Sequence, residues 1–362
     1  MCMQISNQMG PVNNLKAPTT KQVAAREGGI DLNALSAFMD KDAVSIGQND
    51  TDIPEKHWHF QLAEPTVGGV MKAAGVKGGG SPVTIGIIHT NDEHDPKFEK
   101  FAGEAAVIKK REKVYGDENS IIVNTGDITY ESFNDKPGPQ FWGPVPEIFN
   151  KEGMEFFVPG NHEFQHGGKY LEDNLLPKLD AQVLLGNITY KSSGKALEHT
   201  KPFVIQDVNG VKVGVIGLCT PKMATKAHPK VGYDVRVDSI QSAAAKVVPE
   251  AKKAGAEVIV IIAHEGINRC VDAASSVPGI DVIVAGHDHQ ELQDPKEVNN
   301  PDGRKTIVVE AASHGKYVGD VSLEVDPHSK QVVGVDYKLF PVSKGEKDPD
   351  IQDIVNKYLG GR

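Results

Sequence analysis

Residues 83–94 read VTIGIIHTNDEH, an almost continuous apolar run that closes with the polar side chains of Asp92 and His94. A short run of this kind, without polar alternation, is typical of a β-strand that is buried on both faces. Polar groups just past the carboxyl end of such a strand lie at the edge where open α/β sheets bind ligands. The stretch therefore predicts a buried sheet and a site at its edge.

The same pattern recurs four more times along the chain. The runs are SIIVNTG (120–126), MEFFVPG (154–160), EVIVIIAH (257–264) and IDVIVAGH (280–287). Between the runs lie helical stretches such as KFAGEAAVIKKREKVYG, VPEIFNKEG and IQSAAAKVVPEAKKAG, and Pro249 is predicted to bend or split the last of these. Strands that alternate with helices indicate an α/β architecture. The Asn209-Gly210 pair between two further β runs predicts a hairpin, so the sheet is predicted to be mixed.

Each later run is also followed by polar side chains. Seven of the groups after the five runs are oxygen or nitrogen donors that suit Mn, Zn, Fe or a similar divalent ion: Asp92, His94, Asp127, Asn161, His264, His287 and His289. Seven donors exceed the four of one tetrahedral site and suit two ions about 3.5–4 Å apart. Each i,i+2 pair, Asp92/His94 and His287/His289, can face one side of an extended turn, and Asp127 can bridge two ions through its two oxygens.

The charge of such a site indicates its substrate. Two divalent ions contribute +4 and two aspartates −2, which leaves an excess of about +2 that favours a dianionic ester such as a phosphate monoester. The ions would generate a hydroxide nucleophile and clamp the phosphoryl oxygens. Each motif alone has an ordinary structural explanation, since a lone GD is usually a turn and a lone histidine is usually hydrogen-bonded. Five such loops in order are hard to explain as turns.

Composition excludes several other classes of protein. The chain has 362 residues, of which 39% are hydrophobic and 24% charged, with a net charge of −10 and a pI of about 5.7. It has neither a basic stretch for a nucleic acid polymer nor a polybasic run for a membrane surface. The sparse and odd set of cysteines, Cys2, Cys219 and Cys270, argues against a disulfide framework and fits a reducing compartment.

Three segments are predicted. Residues 1–80 form an extension that ends in the glycine-rich joint VKGGGSP, residues 81–345 a catalytic domain, and residues 346–362 a tail with a short helix. Trp58 and Phe60 in the extension are predicted to pack against the domain, or alternatively to cover the site. The N-terminus lacks the apolar core of a secretory signal, which predicts a cytoplasmic protein, with a periplasmic or exported one as the alternative.

The motifs NDEH, GD, GNHEF, AHEG and GHDH, in this order, resemble the calcineurin-like metallophosphoesterases and, within them, the 5′-nucleotidase branch. The likeness covers roughly residues 82–343. It implies a four-layer αββα sandwich with mixed sheets, the seven donors above as metal ligands, and catalytic roles for Asp127, Asn161 and His162. His162 would stabilise the transition state or protonate the leaving group. The implied reaction is two-metal hydrolysis of a small phosphate ester, a nucleotide or a related monoester or diester.

The sequence departs from the pattern of this branch in three places. Gln165 stands where relatives usually carry an aspartate that pairs with the histidine, and Glu104 stands where an arginine is expected. Because the sequence stops soon after the predicted catalytic domain, the C-terminal domain that holds the nucleobase in two-domain members is expected to be missing. These departures keep two alternatives open: a hydrolase of sulfur esters like the thiosulfohydrolases, and a relative that binds metal without turnover. An amidohydrolase fits less well, because that class usually opens with HxH where this chain has DxH.

Overall fold

A computed structural model gives the fold and describes residues 81–116, 118–129, 142–222 and 234–360. The extension predicted for residues 1–80, with Trp58 and Phe60, lies outside the described residues. The strands, numbered in chain order, are β1 Val83–Thr90, β2 Ser120–Asn124, β3 Phe156–Phe157, β4 Gln182–Leu184, β5 Ile188–Tyr190, β6 Thr200–Lys201, β7 Phe203–Val208, β8 Val211–Cys219, β9 Val235–Val237, β10 Val258–His264, β11 Val282–Ala285, β12 Lys296–Asn299, β13 Lys305–Val309, β14 Tyr317–Val325 and β15 Val332–Pro341. The α-helices are α1 Phe101–Tyr115, α2 Val145–Glu152, α3 Gly168–Asn174, α4 Ile240–Lys253, α5 Ile267–Ser276 and α6 Pro349–Gly360.

Two large sheets form the body of the fold, and both are mixed. The first has the order β15-β14-β1-β2-β3-β4-β6, and the second β12-β13-β11-β10-β8-β7. Strands β1, β2, β3, β4 and β6 run parallel, whereas β14 pairs antiparallel with both β1 and β15. In the second sheet β8, β10, β11 and β13 are parallel, with antiparallel strands β7 and β12 at its edges. The predicted mixed α/β class is confirmed.

Alternation along β10 shows how the layers stack. Val258, Val260 and Ile262 join the large apolar core that also contains residues of the first sheet. Ile259 and Ile261 belong to a second core, which helices α4 and α5 cover. Since successive side chains of a strand face opposite sides, β10 lies between the first sheet and a helical layer. Helix α1 packs on β1 and contacts α6 and α2, which completes a four-layer αββα arrangement.

The secondary structure follows the predicted runs with two differences. Strand β1 coincides with the run VTIGIIHT, but the third run yields only the two-residue strand β3. Met154 and Val158, on either side of β3, are buried although they lie in loops. The apolar character of the rest of that run therefore reflects burial and not strand structure. Pro249 lies inside a continuous α4 and does not split it. A proline removes only one helical hydrogen bond, and the buried face of α4 keeps its packing.

The predicted hairpin is confirmed at Asn209-Gly210. Strands β7 and β8 pair antiparallel up to Val208 and Val211, so the loop has two residues. Asn209 and Gly210 have φ of 52° and 75°. Positive φ at both central residues defines the type I′ turn, whose twist matches that of the flanking strands.

Helix α6 falls within the predicted C-terminal tail, and its buried residues Ile351 and Val355 join the large core. None of the helices in the described part of the chain has the length and apolar character needed to cross a bilayer.

Candidate metal centre

The loops that follow five strands converge at one edge of the sandwich. His94 N–H donates to the backbone carbonyl of Asp127 at 3.1 Å, which ties the loop after β1 to the loop after β2. His287 N–H donates to Asp92 Oδ2 at 2.8 Å, which ties the first sheet to the second. The edge therefore brings together all seven predicted ligands and His162, although they come from both sheets.

Asp92, His94 and His289 form the first group that could hold a metal ion. The Nε2 atoms of His94 and His289 lie 3.0 Å apart. Oδ1 of Asp92 is buried and accepts no hydrogen bond within the described part of the chain. It lies 3.5 Å from His289 Nε2 and 3.8 Å from His94 Nε2. One carboxylate oxygen and two ring nitrogens thus lie close together, and the two nitrogens share a hydrogen bond.

Asp127, His264 and His287 form a second such group, with Asn161 beside it. His264 Nε2 lies 3.2 Å from Asp127 Oδ2 and 3.2 Å from Asn161 Oδ1. Nδ1 of the same ring is 2.7 Å from the backbone carbonyl of Thr125. Because a carbonyl only accepts hydrogen bonds, Nδ1 carries a proton, and Nε2 of the neutral ring presents its lone pair to two oxygens.

Three electron-pair donors pointed at one another repel unless a cation lies among them. A proton on His264 Nε2 meets this need in the protein without metal, and the nearby Asp127 raises the pKa of His264 although burial acts in the opposite direction. A divalent ion meets the same need with the same donors. The residues therefore fit a metal centre of oxygen and imidazole ligands.

Asp127 connects the two groups, and together with His94 and His162 it forms a third group that could hold a metal ion. Its Oδ2 lies 3.2 Å from His264 Nε2 and 3.7 Å from His94 Nε2. Its Oδ1 accepts the backbone N–H of His162 at 2.8 Å. The sequence predicted a bridge through both carboxylate oxygens, whereas the structure turns a single oxygen toward both groups and uses the other to orient the loop.

Burial keeps several of the imidazoles neutral. It lowers the pKa of His94 to about 4, in spite of the opposing effects of Asp127 and Asp92. Burial, followed by the proximity of His264, also lowers the pKa of His287 to about 4. Burial opposes ionisation of Asp127, but His264, His162 and His94 hold the pKa of this carboxyl below its usual range. Neutral imidazole and ionised carboxylate are the forms that bind metal.

Many non-glycine residues at this edge adopt the left-handed backbone conformation. Among the described residues, positive φ occurs at the following six positions of the cluster: Asp92, His94, Asp127, His287, His289 and His314, with values from 44° to 80°. Such conformations cost of the order of 1–3 kcal/mol each and concentrate at functional sites.

This backbone also corrects one prediction. The i,i+2 spacing allows His287 and His289 to face one side of an extended turn, but His287 joins the group of Asp127 and His289 the group of Asp92. Positive φ at both histidines breaks the extended geometry and sends the two rings to different groups.

Glu163 was not among the predicted site residues, yet it holds two of the loops in place. Its carboxylate accepts the backbone N–H groups of Asp127 at 2.8 Å, Ile128 at 3.0 Å and Gly160 at 2.6 Å. Burial, followed by the nearby Asp127, raises the pKa of Glu163 to about 7, while the amides favour its ionised form. The GNHE motif contains this residue, but its contacts with backbone amides leave no mark in the sequence.

His314 was left out of the predicted ligands and lies at the border of the cluster. Its exposed ring is 5.6 Å from that of His94 and 5.8 Å from that of His289, centroid to centroid. His314 N–H donates to the carbonyl of Asp92 at 2.8 Å. The His314 imidazole thus faces solvent beside the metal-ligand candidates.

Gln165 and Glu104, the two residues that depart from the pattern of the 5′-nucleotidase branch, are both buried. Gln165 is 1% exposed, and its N–H donates to the carbonyl of His162 at 3.1 Å. Glu104 lies on α1, and its Oε1 has no hydrogen-bond partner among the described residues. Burial, followed by the proximity of Glu152 and Asp95, raises the pKa of Glu104 well above its usual range. Nothing in the structure explains why a glutamate stands there in place of the expected arginine.

The described part of the chain is thus a sandwich of two mixed sheets, with a cluster of Asp, His and Asn side chains at one edge that could hold metal. Residues 85–291 match the family model described as calcineurin-like phosphoesterase, and the chain belongs to that family. Over 310 residues it is 26% identical to a probable 5′-nucleotidase of Treponema pallidum, covering 72% of this chain and 51% of that protein. The chain spans about half the length of the curated relatives it matches.

Solved structures support the fold. A 5′-nucleotidase precursor from Thermus thermophilus superposes with a TM-score of 0.65 at 24% identity, covering 77% of this chain and 59% of that one. A sulfate thiohydrolase, SoxB, from the same organism superposes with a TM-score of 0.62 at 20% identity, covering 72% of this chain and 47% of that one. Because both kinds of enzyme share this fold, the fold alone does not choose between phosphate and sulfur esters.

Proposed function

We propose that this chain hydrolyses phosphate esters with two divalent metal ions, and that nucleotides or related phosphomonoesters are its substrates. The observation that carries the proposal is the position of Asp127 between the two ligand groups, with its Oδ2 3.2 Å from His264 Nε2 and 3.7 Å from His94 Nε2. Family membership and the likeness to 5′-nucleotidases support phosphorus as the reacting centre.

In this proposal Asp92, His94 and His289 would hold one ion, and Asn161, His264 and His287 would hold the other. Asp127, which lies between the two groups, would contribute to both. When bound, such ions supply Lewis acidity that activates water and neutralises charge on the phosphoryl oxygens. The protein contributes the geometry, since Thr125 fixes the His264 ring and His162 N–H fixes the Asp127 carboxylate.

His162 is proposed to act on the substrate and not as a metal ligand. Its side chain remains 20% exposed, and its Nε2 lies 4.0 Å from Asp127 Oδ2. Its ring meets that of His94 edge-on, with centroids 4.9 Å apart. From this position the imidazole reaches the space in front of the ligands, where it can donate a proton to the leaving group or a hydrogen bond to a phosphoryl oxygen.

The test is an assay of metal-stripped protein to which Mn²⁺, Zn²⁺ or Mg²⁺ is restored. The substrates are p-nitrophenyl phosphate, bis-p-nitrophenyl phosphate and a panel of nucleotides. We expect metal-dependent turnover that falls about 100- to 1,000-fold or more in Asp127→Asn. Asp353→Asn, an exposed substitution on α6, serves as the matched control and should leave turnover unchanged.

The same assay separates the remaining alternatives. Turnover of a cysteine S-thiosulfonate without turnover of any phosphate ester would assign the chain to sulfur-ester hydrolysis. Metal binding without turnover of either substrate would identify a non-catalytic relative. Failure to bind divalent metal at all would contradict the proposed centre.

A further inference from the structure

A basic cavity lies beside the metal-ligand candidates. It has a volume of about 500 Å³ and opens between the start of α1 and the turn after β15. Its walls include Lys100, Lys344 and Lys347, together with Ser343 and Gly315. One carboxylate, that of Glu99, lines the same space, so the lining carries a net charge of +2.

The lysines of this cavity lack ion-pair partners, since none of the three forms an ion pair with another residue in the described ranges. The two acidic residues of the neighbouring turn are already paired elsewhere, Glu346 with Lys110 and Asp348 with Lys109, at 2.5 Å each. Three ammonium groups around one cavity repel one another, and an anion placed among them relieves that repulsion.

Two turns join the cavity to the metal-ligand candidates. In the first turn, Gly315 of the cavity wall directly follows His314, whose ring is 5.6 Å from that of His94. In the second, Lys100 N–H donates at 2.8 Å to Oδ2 of Asp95, the residue after His94. Gly315 also lets these turns approach closely, because a Cβ there would lie 2.7 Å from that of Lys100. The cavity wall thus adjoins His314 along the chain on one side, and on the other it is hydrogen-bonded to the residue that follows His94.

We propose that this cavity binds a second phosphate group of the substrate while the scissile phosphate lies at the metal-ligand cluster. This inference rests on the proposed function. Lysines bind phosphate as flexible point charges, and the Ser343 hydroxyl adds a hydrogen-bond donor. The favoured substrates are then esters that carry a second phosphate several bonds away from the scissile one, as nucleoside 3′,5′-bisphosphates do.

The experiment compares adenosine 3′,5′-bisphosphate, AMP and p-nitrophenyl phosphate as substrates of the full chain loaded with metal. The variant is the double substitution Lys344→Gln/Lys347→Gln, which touches no residue of the cluster. We expect its kcat/KM for the bisphosphate to fall about tenfold, while the values for AMP and p-nitrophenyl phosphate change little. Raising the salt concentration should reduce the preference of the wild type in the same direction.

Lys212→Gln/Lys253→Gln removes the same charge from exposed positions on the second sheet and α4 and should leave all three substrates unaffected. Equal losses for the three substrates, or no loss for the bisphosphate, would overturn the subsite. Calorimetric binding of the bisphosphate and AMP is measured alongside. If the wild type hydrolyses none of the three substrates, the proposed function is wrong. The binding data then test the subsite alone. Tighter binding of the bisphosphate than of AMP, lost in the double variant, would support the subsite, and equal binding would overturn it.

Discussion

Glu163 Oε2 accepts the backbone N–H of Asp127 at 2.8 Å, so a buried carboxylate in one loop sets the position of the aspartate that lies between the two ligand groups. The same oxygen accepts Gly160 N–H, and Oε1 accepts Ile128 N–H. A carboxylate offers acceptors only, and these three donors use both of its oxygens. The loops after β2 and β3 are thereby held together without any metal.

Glu163→Gln should weaken metal binding while the fold persists. The amide keeps the size of the side chain but replaces one acceptor with a donor, which then faces a backbone N–H. Loss of a group that orients ligands typically lowers metal affinity about 10- to 100-fold. Titration of metal-stripped protein against a chelating indicator measures the affinity.

Glu172→Gln is the matched control for that substitution. Glu172 is also buried, and it accepts hydrogen bonds from the Tyr190 hydroxyl and Glu198 N–H, away from the cluster. Its replacement should lower the melting temperature and leave metal affinity unchanged. Equal affinities in the two variants would show that Glu163 serves folding alone.

Gly160→Ala should disrupt the shared aspartate directly. A Cβ at residue 160 would lie 2.3 Å from Asp127 Oδ1 and 2.6 Å from His264 Cε1, and both groups are fixed by hydrogen bonds. We expect bound metal, measured by elemental analysis, and turnover to fall together by about 100-fold. Gly345→Ala, where the nearest atom is 3.9 Å away, should change neither.

Much of this fold follows from local sequence. Strand β1 coincides with its apolar run, and the turn at Asn209-Gly210 follows from the positive φ that these two residues tolerate. The order of polar groups after the strands also predicted which residues meet, because parallel strands bring their carboxyl ends to one edge. These features depend on a few neighbouring residues, and so they can be predicted from a single sequence.

What could not be predicted depends on contacts between distant residues. His287 and His289 enter different groups because of backbone angles that the surrounding loops impose. Glu163 matters through amides of residues more than thirty positions away, and His314 reaches the cluster from the turn before β14. Neither periodicity nor residue type distinguishes these side chains from ordinary loop residues.

His314→Ala should reduce turnover without removing metal. The ring lies beside His94 and His289 but is exposed, so it is placed to donate a hydrogen bond to a substrate oxygen. Loss of one hydrogen bond to a charged group lowers kcat/KM about 10- to 100-fold. His199→Ala removes another exposed histidine with positive φ and should have no effect. Loss of metal from His314→Ala would instead make this residue a ligand.

Glu152→Gln should stabilise the protein increasingly as the pH rises. Burial, followed by the proximity of Glu93 and Asp348, raises the pKa of Glu152 well above its ordinary value of 4.5, and its Oε1 has no partner among the described residues. Above that ordinary value the unfolded chain loses the proton while the folded carboxyl keeps it. Folding stability therefore decreases as the pH rises from the unfolded pKa toward the raised folded pKa, by about 1.4 kcal/mol for each unit of pKa difference.

Glutamine cannot ionise, so the stability of the variant does not decrease with pH in this way. Thermal unfolding at several values between about pH 5 and about pH 8 should show a melting temperature that rises relative to wild type, by about 2–4 °C for each kcal/mol. Glu147→Gln, on the exposed side of the same helix α2, should give a difference that does not vary with pH. Parallel curves for Glu152→Gln and wild type would mean that this carboxyl is ionised in the folded protein.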